Sequence, residues 1–467
     1  MANEKQKYLV IREFDKIRRA SIEDAPSDYA QNILSQKDFQ ALKQFVEENA
    51  SEDSEDENLR HFISCRNNTI SVCNYVGVIE LPSGFQIEIL PKINFGENSD
   101  EWNDEAKEKS REIFLRMLSC LKEFPRKVSD FTNLNSRQMR LLDVFINMYA
   151  NEVSSLVKKG LKSAYVLTED NVHFYKGKLK FSSHLRMNMV HKERFYTEFD
   201  EFQMNRPENK LIKSTLLLLQ KRTHCDSNRR LINQMLSHFE LVDTSLNYDS
   251  DFSKVVCDRN TRDYSDLMLW SKVFLKNKSF SSFRGSNKTR ALLFPMEKIF
   301  ESYVAGSFKR TMENDSRPAS WKVSLQDKKY YLFNTKSDSS GSNYFGLKPD
   351  IVARSSDRIV ILDTKWKSLD FNKAHYGISQ SDMYQMYGYA HEYRTPEIFL
   401  LYPLNAEMKN RGAIEFFGSD RSPIDGKRIH IKVFFVDLET ILLKPELTRP
   451  CWFDRLIGEM GCFNPNS

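Results

Sequence analysis

The sequence predicts an α/β protein of several domains, α+β in overall arrangement. A β-rich N-terminal part (1–95) precedes a mainly helical middle region (96–285). A C-terminal domain (286–467) is built on a central mixed sheet flanked by helices. Three observations carry this reading. Short apolar runs crowd residues 61–93, apolar residues recur at a helical period between 101 and 242, and the last third alternates strand and helix patterns.

In order, "KYLVIREF" (7–14) reads as a strand and "SQKDFQALKQFVEENA" (35–50) as a helix. The acidic "EENASEDSEDEN" (47–58) has no apolar face and reads as a connector. Residues 61–93 give several short strands divided by the turns "RNN" (66–68) and "PSG" (82–84), packed with the first strand. In "EWNDEAKEKSREIFLRMLSCLKEF" (101–124), Ile113, Leu115, Met117, Leu118 and Leu121 form a helical stripe. Residues 136–161 form a second helix, with Ser136 placed to cap it and "KKG" to stop it. Residues 164–181 read as a strand pair, 196–209 as an acidic, aromatic segment, and 209–223 and 228–242 as helices. Further on, within 289–311, a helix is read after Pro295, which suits a first turn. Strands are expected at 321–326, 329–334, 397–404 and 428–438, a loop at 337–343 and a helix at 379–393.

Composition narrows the function classes. The net charge of +5 over 467 residues permits nucleic-acid contact without arguing for it. The seven cysteines are scattered with no CxxC pair, which argues against a zinc ribbon or a disulfide framework and fits a reduced, cytoplasmic setting. The N-terminal stretch has no signal-like apolar core, and no apolar run approaches the length of a membrane span. "FRGSNKTR" (283–290) has Asn287 where a phosphate-binding loop needs glycine before its lysine, so nucleotide hydrolysis by this chain is not expected. Arg284, Lys288 and Arg290 in that loop are also suited to DNA phosphates, although a solvated loop is the simpler reading. No His, Ser or Cys catalytic or metal-ligand spacing occurs, and His375 stands alone.

The informative stretch is "GLKPDIVARSSDRIVILDTKWK" (346–367). "KPDIVAR" and "RIVILDTKWK" pair as a hairpin across "SSDR". Successive strand side chains alternate, so Asp363 and Lys365 share a face and Thr364 turns the other way. Asp350 at the start of one strand neighbours Asp363 at the end of the next. Two close carboxylates are costly to ionise unless a cation lies between them, and Mg²⁺ suits oxygen ligands and retained waters. With Lys365 to hold a phosphate or stabilise charge, the set is sufficient for phosphodiester hydrolysis. A bare Asp-x-Lys is also an ordinary surface ion pair; the whole layout is what argues for more.

That layout resembles the PD-(D/E)xK nuclease motif, with Pro349–Asp350 as its first element and Asp363–Thr364–Lys365 as its second. The resemblance implies an acidic residue on the preceding helix, where Glu297 and Glu301 stand one turn apart and Glu301 is chosen. It implies a polar residue on the following helix, where Gln385 is chosen, with Tyr384 or Tyr389 near it. Metal ligation then falls to Asp350 and Asp363, with Mg²⁺ or Mn²⁺ as cofactor. The ordered series "NYVGVIELPSGFQIEILPKI", "YKGKLKF", "FDEFQMNRPENKLIKSTLLLL", "LLFPMEKIFESYVA" and the hairpin is similar to the McrC family of McrBC-type modification-dependent restriction systems. This implies an endonuclease subunit acting on double-stranded, modified DNA. Its partner is an AAA+ GTPase motor of the McrB kind that supplies the GTP dependence, docked through the N-terminal and middle parts. The acidic insert and the long middle region depart from the compact family pattern. Two other classes stand beside this reading: a non-catalytic activator of the motor, and a stand-alone repair nuclease.

Overall fold

The computed structural model describes residues 8–20, 32–49, 63–66, 69–93, 102–121, 139–255, 262–276, 289–314, 321–334, 343–356, 358–409, 413–419, 424, 426–443 and 450–460. The acidic stretch beyond 49, the turn positions 67–68, Ser136, residues 283–288 and most of 337–343 lie outside them. Two compact units form: residues 1–138 together with 288–467, and residues 139–287. The first of these units joins both ends of the chain.

The N-terminal strands are β1 (Tyr8–Arg12), β2 (Lys16–Arg19), β3 (Ile33–Leu34), β4 (Ile63–Arg66), β5 (Thr69–Val72), β6 (Tyr75–Glu80) and β7 (Gln86–Leu90). One sheet has the order β3-β2-β5-β4, and β1 lies parallel to β7 in a second. The helix Gln36–Asn49 buries Phe39, Leu42, Phe45 and Val46, and Ser35 accepts the Asp38 N–H at its start. The helix Asp104–Leu118 buries Ile113, Leu115, Met117 and Leu118, four of the five residues on its expected stripe; Leu121 is buried just beyond its end.

In the second unit the helices Leu141–Lys159, Pro207–Arg222, Asp226–Ser237 and Ser265–Lys276 pack on one another. Asn147 donates to Asn228 at 2.7 Å, and Tyr149 meets Ser271 at 2.9 Å. Gly160 ends the first of these helices at φ +89. The unit also carries a sheet of β8 (Ala164–Val172), β9 (Lys178–Leu179) and β10 (Phe195–Gln203). The expected pair at 164–181 is not a pair: β10 lies between β8 and β9, antiparallel to both. Its three acidic residues, Glu198, Asp200 and Glu201, lie among aromatics and break any alternation that would mark the strand in the sequence. One face of the ribbon shows Tyr165, Leu167 and Phe202 to solvent.

Beyond residue 288 come β11 (Arg290–Pro295), β12 (Lys322–Leu325), β13 (Tyr331–Asn334), β14 (Asn343–Gly346), β15 (Ile351–Arg354), β16 (Ile359–Thr364), β17 (Glu397–Pro403), β18 (Ile414–Phe417) and β19 (His430–Val436). The helix expected after Pro295 forms over Met296–Asn314, and the residues before it form β11. Residues 290–295 pair antiparallel with β6, completing the order β1-β7-β6-β11. The main sheet has the order β12-β15-β16-β17-β19-β18. β15–β16 is antiparallel, while β16–β17 and β17–β19 are parallel, the mixed arrangement the sequence predicts. β16 and β17 are buried on both faces, as their unbroken apolar runs require. The helix Gln380–Tyr393 covers one face through Met386, Tyr389, Ala390 and Tyr393.

Candidate functional site

The site is built at one end of the main sheet. The β15–β16 register pairs Ile351 with Leu362, which sets Asp350 and Asp363 opposite one another one step further on. Asp350 precedes the ladder, so its side chain is not held to the pleat. Its Oδ2 accepts the Thr364 N–H at 2.7 Å and the Thr364 hydroxyl at 2.6 Å. Thr364, expected to turn away, thus orients the first carboxylate.

Asp363 is 2% exposed and forms an ion pair with Lys365 at 2.7 Å. Burial first, and the Asp350 charge second, push the Asp363 carboxyl above the usual range. Burial likewise raises Asp350, against the pull of the Thr364 donors. Glu301, on the helix Met296–Asn314, is raised by burial and then by the Asp350 charge. It accepts from the Gln326 side chain, while the Gln326 backbone N–H donates to the Asp350 carbonyl at 2.8 Å. Glu297 is exposed and lines a different cavity.

Lys365 is held from three sides. It meets Asp363, lies 3.8 Å from Asp382 and donates to Gln385 Oε1 at 3.0 Å. Burial opposes its charge, but Asp363, Asp382 and Asp350 outweigh burial and raise its pKa, so it remains an ammonium. Gln385 in turn donates to the Tyr389 hydroxyl at 2.7 Å. Tyr384 is 67% exposed and bonds Gln380 instead.

The structure therefore brings Asp350, Asp363, Lys365 and Gln385 together, with Glu301 close enough to feel the Asp350 charge. Sequence reasoning missed Asp382, Gln326 and the role of Thr364. Asp382 had a signal: it stands one helical turn before Gln385, behind the cap Ser379, which accepts its N–H. Gln326 had none, because its place depends on how β12 meets β15.

Among the described residues no group of three or more His, Cys, Asp or Glu is disposed to hold a metal. A hard cation that keeps its waters needs only one or two carboxylates. Asp350 and Asp363, both resisting ionisation beside each other, fit that requirement because an inserted cation relieves their repulsion. Among the described residues no helix is long and apolar enough to cross a membrane.

The family described as "McrBC 5-methylcytosine restriction system component" matches residues 70–403. No curated protein matches the chain. Among solved structures, a refined half-complex from a tetradecameric assembly of Thermococcus gammatolerans McrB AAA+ hexamers with bound McrC matches at 20% identity and a TM-score of 0.66, covering 97% of this chain and 100% of that one. The cryo-EM structure of the Thermococcus gammatolerans McrBC complex matches at 21% identity, a TM-score of 0.46, and 64% and 85% coverage. At these identities the first likeness establishes the fold alone, and the second adds nothing to it.

Proposed function

The chain belongs to the family of McrBC 5-methylcytosine restriction system components, and on that premise we propose that it is the endonuclease subunit of such a system. The observation that carries this reading is the assembly of Asp350, Asp363, Lys365 and Gln385 at one end of a mixed sheet. A pure adaptor has no need to bury two mutually repelling carboxylates.

Asp350 and Asp363 would hold Mg²⁺, or Mn²⁺ in its place. When bound, the cation supplies charge stabilisation on phosphoryl oxygens and a lowered pKa for a coordinated water. Thr364 fixes the Asp350 carboxylate through two donors. Lys365, kept protonated by its aspartates, serves as a cationic donor to phosphate oxygens rather than as a base. Gln385 aims that ammonium, and Tyr389 holds the Gln385 amide. Glu301 adds a third carboxyl beside Asp350.

The relative with known partners is bound to McrB AAA+ hexamers, and we extend that partnership to this chain. The GTP dependence then resides in the motor, and modified double-stranded DNA is the substrate. The surface in this chain best suited to docking is the ribbon face of β8 and β10. Tyr165, Leu167 and Phe202 are 74%, 60% and 64% exposed there, an apolar patch that the described residues leave uncovered.

The test is plasmid cleavage by the chain with its co-expressed motor, GTP and Mg²⁺, comparing wild type with Asp363→Ala and following GTP turnover in the same tubes. Cutting by wild type only, with GTP turnover in both, is the expected outcome. Stimulated turnover with no cutting by either protein would replace the nuclease reading with that of a motor activator.

A further inference from the structure

β13 and β14 pair as a two-stranded sheet of their own, and β14 leads through Leu347, Lys348 and Pro349 into Asp350. The base of this pair is fixed. Leu347 is buried and its N–H donates to the Tyr330 carbonyl at 2.8 Å, while the Tyr330 ring packs edge-on against Tyr393 with centroids 4.6 Å apart. Leu332 faces the helix Gln380–Tyr393, where a Cβ added at Gly388 would lie 3.5 Å from its side chain. Gly388 stands one turn beyond Gln385 on the same flank of that helix. The strand pair therefore borders the side of the helix that presents Gln385 to Lys365.

Two aromatic rings stand in solvent on this pair. Phe333 alternates with Leu332 and so turns to the face away from the helix. The register puts Phe345 across from Leu332, but its backbone is left-handed at φ +59, which breaks the alternation and strains a bulky residue. Its ring meets Phe333 edge-on, with centroids 6.0 Å apart and planes at 87°. Phe333 and Phe345 are 65% and 71% exposed. Two rings held together in water beside a candidate catalytic site mark a contact surface. The surrounding charge suits a polyanion. Lys328, Lys329 and Lys348 are exposed, whereas Asp327 beside them is paired with Arg354 at 2.7 Å. Lys348 lies close enough for its charge to act on both Asp350 and Glu301. Phe345 comes five residues before Asp350, so at most about 17 Å of chain separates the rings from that carboxylate, about five base steps of duplex.

We infer that the Phe333–Phe345 pair is a wedge that enters a base step of duplex DNA beside the scissile phosphate, with Lys348 and its neighbours on the flanking phosphates. Apolar side chains inserted at a step unstack it and kink the duplex, which lets the bent DNA meet more of the protein surface. Every base offers a π-face, so the wedge positions the duplex without reading its sequence. Continuity with the carboxylates, together with the lysines, is what favours DNA over a protein partner on this surface. This inference rests on the reading of DNA as substrate.

The test is fluorescence anisotropy on the full-length chain in EDTA, with two short labelled duplexes identical except for a single unpaired adenine in one. Wild type is expected to bind the bulged duplex about tenfold more tightly, because part of the unstacking cost is already absent there. The double variant Phe333→Ser with Phe345→Asn should bind both duplexes alike, near the wild-type affinity for paired DNA, since its phosphate contacts remain. Asparagine accepts the left-handed backbone at 345, so the fold is kept. Phe333→Trp retains a ring and should retain the preference. Equal wild-type affinities, a ratio unmoved in the double variant, or no binding of either duplex overturns the inference. So does a double variant that keeps the preference but loses motor binding or self-association, which would give the rings to a protein partner. A chain that cuts DNA with its motor yet shows no preference for the bulge loses this inference and keeps the nuclease reading; preference without cutting does the opposite.

Discussion

Asp363 and Glu13 are two buried carboxyls with different solutions to the same cost. Asp363 has a lysine beside it and a second carboxylate across the strand pair, whereas Glu13 has only neutral donors on one oxygen. For Asp363 we expect Mg²⁺ to raise the thermal midpoint of wild type by ligand linkage. Asp363→Asn should abolish that rise while itself stabilising the metal-free chain, because it removes a buried repulsion. Thermal melts with and without Mg²⁺ check both, and a Mg²⁺ shift retained in Asp363→Asn would dismiss this ligand. For Glu13, burial pushes the pKa from 4.5 up to about 7. A raised carboxyl pKa means the folded chain binds the proton more tightly than the unfolded chain. Its contribution is therefore full below about 4.5 and is lost as pH rises through about 7, a swing on the order of 3 kcal/mol. Urea unfolding of wild type and Glu13→Gln across that window should differ in slope. Parallel curves would mean Glu13 does not titrate there.

At the scale of elements, the pairing of β6 with β11 ties the two ends of the chain into one sheet. It depends on Gly77, whose φ of +140 and whose missing side chain let the Leu292 carbonyl approach; an added Cβ would lie 2.0 Å from that oxygen. Gly77→Ala should cost about 3 kcal/mol or more through backbone strain and overpacking, visible as a drop in denaturation midpoint. A neutral substitution would show that β11 can move away. The same distant partner makes 290–295 a strand, which its apolar run by itself does not specify, since such a run suits a helix as well. The hairpin of β15 and β16 was legible because both of its strands lie close in sequence, joined by a short turn. β10 was not, because its acidic residues at 198, 200 and 201 interrupt the alternation that would mark the face on which Thr197 and Phe199 are buried.

On the scale of the molecule, two compact units divide the work we propose. The one made from both chain ends holds Asp350, Asp363 and Lys365, and the inserted one carries the exposed aromatic ribbon. Replacing Tyr165, Leu167 and Phe202 together by serine should weaken association with the motor at least tenfold by removing apolar anchors. Because all three are exposed, circular dichroism and thermal stability of the isolated chain should change little. Undiminished assembly in that triple variant would move the docking surface elsewhere.

The sequence alone determined the mixed sheet, the hairpin that places Asp350 beside Asp363, and the ordered segments of the family, since each is written in local periodicity or in residues a few positions apart. Tertiary structure decided the rest. Asp382 and Gln326 reach the site through helix and strand packing, and Glu13 meets Trp366 from 353 residues away. Two ends of the chain join in one unit through β1, β7, β6 and β11. Such contacts come from burial and strand partnership across long loops, where local pattern carries no information about which distant segment arrives.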